Sequence, residues 1–232
     1  MLISKHTSNI FKKYGLNELY SYIRINIDPI YEKYADPIHG INHVHDVLNL
    51  SFEILQDESS ASAYKIIMIG SLCHDIYAGK DRKNHHLLAY EYVLNNLAPK
   101  EFLTIKEITI AAQVCLEHRA SYKGEFSSIY SEIVSSADRG EPKDMLRLLK
   151  KSIIYHKYHF HTNRINTLKG AVEHIFEKNS RTGYAKYPDI YKKYYSQTLE
   201  KVWEEIDNAK KIGITRYIFQ NRFKLYKLYI SK

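Results

Sequence analysis

The sequence predicts an all-α protein, and three observations support this fold class. Apolar residues recur at spacings of three and four along most of the 232 residues, as expected for amphipathic helices. The chain has only five Pro and nine Gly, and many of them fall between the periodic segments. No internal repeat or Ser/Gly-rich linker interrupts the pattern. We predict nine helices, over residues 8–33, 41–57, 60–76, 84–97, 104–119, 129–139, 142–160, 163–178 and 188–211.

The helix predicted over 41–57 carries an inward-facing histidine. His43 shares one helical face with three aliphatic residues, so its ring should point toward the core. The dipeptide His45-Asp46 lies off this stripe, and the pattern favours a solvated or capping role for it. The three aliphatic residues are Val47, Leu50 and Ile54.

Three later helices also bring ligand-type side chains to apolar faces. Asp75 directly follows His74 at the end of the apolar run 66–72, and an ionised carboxylate buried there needs a partner. Taken singly, a histidine on such a face is more often a hydrogen-bonded core residue. The helical partners are Ile67 for His74, Ala111 and Val114 for His118, and Tyr130 and Val134 for Asp138.

Taken together, these residues predict a metal site. Two imidazoles and two carboxylates arriving inward from different helices form a nitrogen and oxygen set suited to a divalent first-row transition metal or to Mg²⁺. We therefore expect Mn, Co, Ni, Fe, Zn or Mg as the cofactor. The set is His43, His74, Asp75 and Asp138.

The order of these residues resembles that of the HD-domain metal-dependent phosphohydrolases, which are named after the central His-Asp pair. Segment 36–43 (DPIHGINH), with Val47 four residues later, is similar to the opening segment of that family, and segment 136–139 (SADR) is similar to its closing segment. Segment 117–119 (EHR) stands where small bacterial and viral members carry a histidine. The resemblance covers about residues 30–145.

The resemblance implies a helical HD-domain bundle in which those four ligands bind one metal. Because segment 181–188 (RTGYAKYP) is the best candidate for a break in the helical pattern, we expect the phosphohydrolase domain in residues 1–180, with 181–232 as a helical C-terminal extension packed on it. His85, His86 and His118 would complete a second metal site or contact substrate phosphate, and periodicity prefers His86 where the family pattern prefers His85. Some nucleotidase members carry a Glu shortly after the His-Asp pair, and segment 76–80 has none. The general acid or base therefore stays open between Asp75 and a neighbouring histidine, with His118 as the first candidate.

Basic residues next to the ligands would hold a phosphate. Arg offers a bidentate fork to phosphate and Lys a point charge, although each of these residues taken alone more often serves as solvated surface. Together with the histidines, the predicted phosphate contacts are Lys80, Arg82, His85, His86, Arg119, Lys123 and Arg139.

Three functions follow from these expectations. The first is hydrolysis of a phosphate ester or anhydride of a nucleotide or similar small substrate. The second is a dinuclear phosphodiesterase or nuclease that acts on a cyclic nucleotide or a single strand. The third is a non-catalytic metal-binding regulator.

Composition sets the remaining expectations. The net charge of +8 favours anionic partners, but no five consecutive basic residues occur, so nucleic acid is the less favoured partner. Cys73 and Cys115 fit buried hydrophobes in a reducing compartment. The chain has no signal-peptide pattern and no run of 18 apolar residues, so we expect the cytoplasm and no membrane. An amphipathic stripe from Tyr191 to Ala209 should pack on the catalytic body, with capping of the site or a homodimer contact as the functional options.

Overall fold

The regular elements are helical throughout the computed structural model, which describes residues 3–55 and 60–231. The all-α prediction is confirmed. The elements are α1 (Lys5–Tyr14), α2 (Asn17–Lys33), α3 (Ile41–Leu55), α4 (Ala61–Cys73), α5 (His85–Glu91) with a π-helical continuation (Tyr92–Leu97), α6 (Ile105–Glu117), α7 (Ile129–Arg139), α8 (Met145–Phe160), α9 (Arg164–Asn179), α10 (Asp189–Ile212), α11 (Ile214–Gln220) and α12 (Arg222–Ile230).

The chain divides into two compact units. Unit 1 comprises Met1–Gly140 and Tyr187–Tyr191, and unit 2 comprises Glu141–Lys186 and Lys192–Lys232. The boundary predicted at residue 180 thus falls inside unit 2, because α8 and α9 share a core with the C-terminal helices. The assignment of a phosphohydrolase domain to residues 1–180 stays a prediction.

The helix predicted over 8–33 is in fact two helices. Gly15 adopts a left-handed conformation with φ of 64°, and its N–H donates to the carbonyl of Phe11. Glycine takes this conformation without steric cost, so α1 ends there and α2 starts in a new direction. The helices α11 and α12 lie beyond the predicted set. Residues 56 and 57 of the predicted helix 41–57 lie outside the described residues.

The core of unit 1 is organised around α4. Nearly all of its side chains are buried, and it packs against α2, α3, α6 and α7. Gly70 allows α6 to approach closely, because a Cβ added there would lie 2.4 Å from Val114 Cγ1. Cys73 and Cys115 are free and buried, as predicted, and burial raises the pKa of both thiols.

The core of unit 2 joins α8, α9 and the C-terminal helices. Asp144 caps α8 and Asn163 caps α9, each by accepting a hydrogen bond from a backbone N–H of the first turn. The amphipathic stripe predicted along α10 is buried at its C-terminal end, where Val202, Ile206 and Ala209 enter this core. The prediction that this stripe packs on the catalytic body stays a prediction.

The helices of the described ranges were also compared with the length and hydropathy that a bilayer requires. None of them is both long and apolar enough to cross a membrane.

Candidate metal centre

Four elements of unit 1 deliver the predicted ligands to one place. His43 lies in the first turn of α3, and Asp138 lies in the last turn of α7. His74 caps the C-terminus of α4, and Asp75 begins the series of turns that follows it. Because α4 packs against both α3 and α7, its C-terminal end meets the other two ligands.

The predicted ligand set forms a compact cluster. Asp138 Oδ1 lies 2.9 Å from His43 Nε2 and 3.6 Å from His74 Nε2. Asp75 Oδ2 lies 3.3 Å from His74 Nε2 and 3.6 Å from His43 Nε2. One ligand atom from each of the four residues falls within 4.8 Å of all the others. We call these four residues the first ligand group.

The other oxygen of Asp75 faces a second group. Asp75 Oδ1 lies 3.1 Å from His85 Nε2 and 3.6 Å from His118 Nε2, and the two nitrogens lie 3.1 Å apart. All three side chains are buried. Asp75, His85 and His118 are the second ligand group, so Asp75 belongs to both.

Backbone carbonyls fix three of the imidazole rings. A carbonyl oxygen only accepts hydrogen bonds, so the Nδ1 atom of each ring carries a proton and its Nε2 atom points toward the cluster. Histidines that bind metals are commonly oriented in this way. The contacts are His74 Nδ1 to Ser71 O at 2.8 Å, His85 Nδ1 to Arg82 O at 2.9 Å and His118 Nδ1 to Cys115 O at 2.7 Å.

The distances fit a divalent cation. Two ligands about 2.1 Å from a metal lie about 3.0 Å apart at right angles and about 3.4 Å apart in a tetrahedral shell. The measured separations of 2.9–3.6 Å between carboxylate oxygens and imidazole nitrogens bracket these values. Within the described ranges, the buried His74 Nε2 makes no well-aligned hydrogen bond and lies 3.3 Å from Asp75 Oδ2, so both atoms could bind one cation.

The two buried carboxylates of the cluster also require positive charge nearby to stay ionised. Burial opposes ionisation of both carboxyls, yet the surrounding imidazoles hold the pKa of Asp75 and of Asp138 well below the ordinary value. Burial likewise disfavours charge on His74, but the two carboxylates raise its pKa to about 10. Burial dominates at His118 and lowers its pKa to about 4.

Arg82 is the basic residue that the structure places against the cluster. Its Nη1 lies 3.3 Å from Asp75 Oδ1 and 3.5 Å from His85 Nε2, while 38% of its side chain remains exposed. The guanidinium therefore reaches from solvent to the second ligand group.

Among the other residues predicted to contact phosphate, Arg119 and His86 form a pair beside the cluster. Arg119 donates to the carbonyl of Lys83 at 2.8 Å and lies 3.4 Å from His86 Nδ1. Burial and the positive charge of Arg119 lower the pKa of His86 to about 4. His86 belongs to neither ligand group, whereas its neighbour His85 belongs to the second.

The remaining basic residues lie in other surroundings. Lys80 is exposed, with its ammonium 5.7 Å from the Tyr34 ring centre and 5.4 Å from that of Tyr77. Lys123 is exposed in the loop before α7. Arg139 is largely buried and donates to the hydroxyl and carbonyl of Ser135 in its own helix.

Sequence reasoning missed the role of the segment before His43. Asp36 Oδ1 lies 3.0 Å from His39 Nδ1 and accepts from two backbone N–H groups, of Ile38 and His39. The His39 ring centre lies 5.9 Å from that of His43, with the two rings edge to face, so this turn packs against a member of the first ligand group. The sequence did contain a signal for this turn, because Asp36 and His39 stand three residues apart just before a predicted helix.

Two further buried residues correct or extend the predictions. His45 was predicted to be solvated, but its ring is buried and accepts from the hydroxyl of Tyr20 at 2.8 Å. The helix α2 covers that face through Tyr20 and Arg24, which helical periodicity alone does not reveal. Glu117 is buried and accepts from the backbone N–H of Ser127 at 3.0 Å, which fixes the loop after His118.

Comparisons with family models, curated proteins and solved structures found no match to this chain. The buried cluster of His and Asp side chains that could hold a divalent metal is accordingly defined by its own geometry.

Proposed function

We propose that this chain is a metal-dependent phosphohydrolase that acts on a phosphate ester or anhydride of a nucleotide or a similar small substrate. The convergence of His43, His74, Asp75 and Asp138 carries the proposal. The resemblance of the sequence to the HD-domain phosphohydrolases supports it, because those four positions are the ones that the resemblance singles out.

The first ligand group would hold the cation. A bound divalent cation supplies Lewis acidity, which polarises a phosphoryl oxygen and lowers the pKa of a water molecule. Asp75 and Asp138 contribute the negative charge, and their low pKa values keep both carboxylates ionised across the neutral range. His43 and His74 contribute neutral nitrogen ligands once a cation replaces the proton on His74.

His118, assisted by Asp75, would transfer the proton of the attacking water. At neutral pH the lowered pKa of His118 keeps its imidazole neutral, with Nε2 directed at Asp75 Oδ1. In that state the nitrogen accepts a proton from an attacking water, and Asp75 Oδ1 stabilises the imidazolium that forms. The proton then passes to the leaving oxygen.

Arg82 and Arg119 would bind the phosphate. Arg82 extends from solvent to the second ligand group, and Arg119 lies beside His86. Guanidinium groups match the geometry of phosphate oxygens through paired N–H donors.

A second candidate is a dinuclear phosphodiesterase. The second ligand group favours it, because Asp75 presents one oxygen to each group and would be shared by two cations if each group held one. Metal content per chain separates the candidates: one equivalent supports the leading proposal and two support this one.

The test is a screen for phosphate release from nucleotides, cyclic dinucleotides and phosphosugars with Mn²⁺, Co²⁺, Ni²⁺ or Mg²⁺. We expect turnover by the native chain and its loss in Asp75→Asn. Asp46→Asn is the matched control, since it changes the exposed aspartate of the other His-Asp dipeptide and should retain turnover.

A metal-binding chain that turns over none of these substrates would instead be a non-catalytic regulator. Retained turnover in Asp75→Asn would contradict the proposed site.

A further inference from the structure

The net positive charge of the chain comes from unit 2. Unit 1 holds 14 Lys and Arg against 18 Asp and Glu, whereas unit 2 holds 20 Lys and Arg against eight Asp and Glu. Unit 1 is therefore net negative and unit 2 has a net charge of +12. Such an asymmetry indicates that unit 2 attracts an anionic partner of its own.

Two stretches of unit 2 contain no acidic residue. Residues 145–172 carry six Lys and Arg, and residues 208–232 carry seven. The fold brings these stretches together, because α12 packs on α8 and α11 packs on α9. Lys157 of α8 donates to the carbonyl of Tyr229 at 2.7 Å, and the Arg164 guanidinium lies 5.3 Å from the Tyr226 ring centre.

This shared surface also exposes flat aromatic rings. Phe219 is 66% exposed, Phe223 is 70% exposed and Tyr226 is 45% exposed. Large aromatic side chains are more often buried, so this exposure is unusual. Phe223 and Tyr226 lie three residues apart in α12, and the Arg222 guanidinium contacts the rings of both Phe219 and Phe223, so the three rings form one row across the junction of α11 and α12. We call this row, with Arg164, Arg216, Arg222, Lys224 and Lys227, the basic aromatic surface.

Arg222 lies between two of these rings. Its guanidinium is 4.9 Å from the ring centre of Phe219 and 4.6 Å from that of Phe223. An open groove of about 530 Å³ continues from Phe219 and is lined by Ile212, Gly213, Ile214, Thr215, Arg216 and Phe219. The rings of Phe219 and Phe223 and the guanidinium of Arg222 are therefore positioned for stacking, beside an open groove and near other basic side chains.

We propose that the basic aromatic surface binds single-stranded nucleic acid. Unpaired bases stack on exposed rings and on guanidinium planes, and their phosphates pair with Lys and Arg. This proposal does not rest on the hydrolase proposal, because its residues belong to unit 2 and the ligand groups belong to unit 1.

A single strand fits this surface better than an anionic membrane does. Insertion of Phe219 and Phe223 into a bilayer interface would bring the guanidinium between them toward the acyl chains, which costs energy. Stacking of bases leaves the same guanidinium at the water boundary, where it pairs with phosphate.

Fluorescence anisotropy of the full chain with a labelled 15-nucleotide oligothymidylate tests the proposal. We expect saturable binding that weakens on the order of 50-fold between 50 and 200 mM salt, as for about four phosphate contacts. A duplex of the same length should bind more weakly, since its bases are already stacked.

Two double variants test the two components. Phe219→Ala/Phe223→Ala should weaken binding on the order of 10-fold or more. Lys224→Glu/Lys227→Glu should weaken binding and flatten its salt dependence. Lys100→Glu/Lys106→Glu is the matched control, with the same charge change at exposed sites of unit 1, and should bind as the native chain does.

Several outcomes would overturn the proposal: no binding of the oligonucleotide, undiminished binding by both surface variants, or binding to vesicles of equal phosphatidylcholine and phosphatidylserine without binding to oligonucleotide. Self-association of the chain through this surface without oligonucleotide binding would do the same. Binding by Asp75→Asn should be unchanged, so failure of the hydrolase proposal and failure of this one are distinguishable.

Discussion

Asp75 is the residue that the two ligand groups of the candidate metal centre have in common, because each of its two oxygens faces a different pair of histidines. Oδ2 faces His74 and His43, whereas Oδ1 faces His85 and His118. The carboxylate is buried, so its charge needs compensation, which the protonated His74 and the guanidinium of Arg82 supply in the metal-free protein. A single side chain thus couples metal binding to the proposed proton transfer.

Replacement of this residue should abolish stabilisation by metal. Asp75→Asn removes the charge and replaces one ligand oxygen by an amide that donates hydrogen bonds. A cation at about 100 times its dissociation constant stabilises a protein by about 2.7 kcal/mol. We expect Mn²⁺ to raise the Tm of the native chain by several degrees, to raise that of Asp46→Asn equally and to leave that of Asp75→Asn unchanged, in thermal unfolding scans with and without EDTA.

Arg82 should compete with a second cation. Its guanidinium lies within 3.5 Å of both Asp75 Oδ1 and His85 Nε2, so a cation in the second ligand group would have to displace it. We expect Arg82→Ala to raise the bound Mn²⁺ from about one toward two equivalents per chain in metal analysis after dialysis. Lys80→Ala, an exposed control, should leave the content unchanged; equal content in Arg82→Ala would refute the competition.

Metal binding should release a proton. With a pKa of about 10, His74 is protonated at pH 8 in the metal-free protein, and coordination of its Nε2 expels that proton. We expect about one proton per cation at pH 8, measured by titration calorimetry in buffers of different ionisation enthalpy. Binding without proton release would contradict this combination of a raised pKa and a ligand role for His74.

The same raised pKa has a consequence for stability without metal. Because the folded-state pKa lies above the ordinary value near 6.5, the contribution of His74 is complete below that pH. It is lost as pH rises toward about 10. Chemical denaturation of the metal-free chain between pH 7 and pH 10 should show declining stability, and His74→Gln should flatten the decline.

At the scale of elements, the close approach of α4 and α6 sets the distance between the two ligand groups. His74 follows α4 and His118 follows α6, and their ring centres lie 4.8 Å apart. Gly70 makes this approach feasible, since its missing side chain admits Val114. Gly70 is unfavourable for an isolated helix, but this position needs a residue without a side chain so that α6 can pack closely on α4.

Addition of one methyl group should therefore disturb the centre. In an isolated helix Gly→Ala stabilises by about 1 kcal/mol. Gly70→Ala should instead destabilise the chain by about 1–3 kcal/mol and weaken Mn²⁺ binding, because the new Cβ would lie 2.4 Å from Val114 Cγ1. Denaturant unfolding measures the sign. The double variant Gly70→Ala/Val114→Ala should recover metal binding; no recovery would contradict the steric explanation.

At the scale of the whole molecule, the chain separates two kinds of surface between its units. All residues of both ligand groups belong to unit 1, whereas the basic aromatic surface belongs to unit 2. Unit 1 has more acidic than basic residues, which favours binding of a cation. Unit 2 is strongly basic, which favours binding of an anion. The two proposals therefore assign a different ligand to each unit.

Hydrogen exchange should show these ligands acting on different helices. Because ligand binding suppresses local opening of the segments it connects, Mn²⁺ should slow amide exchange at α3, the end of α4 and α7. Oligothymidylate should slow exchange at α11 and α12. Measurement by mass spectrometry with each ligand separately checks this, and protection of α11 and α12 by Mn²⁺ would argue against it.

The sequence by itself determined the helical class and the identity of the first ligand group. Helical periodicity places His43, His74 and Asp138 on inward faces, and local spacing is enough to show it. It also predicted the buried thiols. It failed at Gly15, where one glycine conformation ends a helix within an otherwise periodic segment.

Only the tertiary structure decided which residues meet across helices. The choice of His85 over His86, the approach of Arg82 to Asp75 and the burial of His45 depend on packing between elements distant in sequence. The basic aromatic surface has the same origin: no run of five basic residues occurs, but two acid-free stretches pack side by side. Periodicity reports which face of a helix is buried, whereas distances between faces arise only when the helices pack.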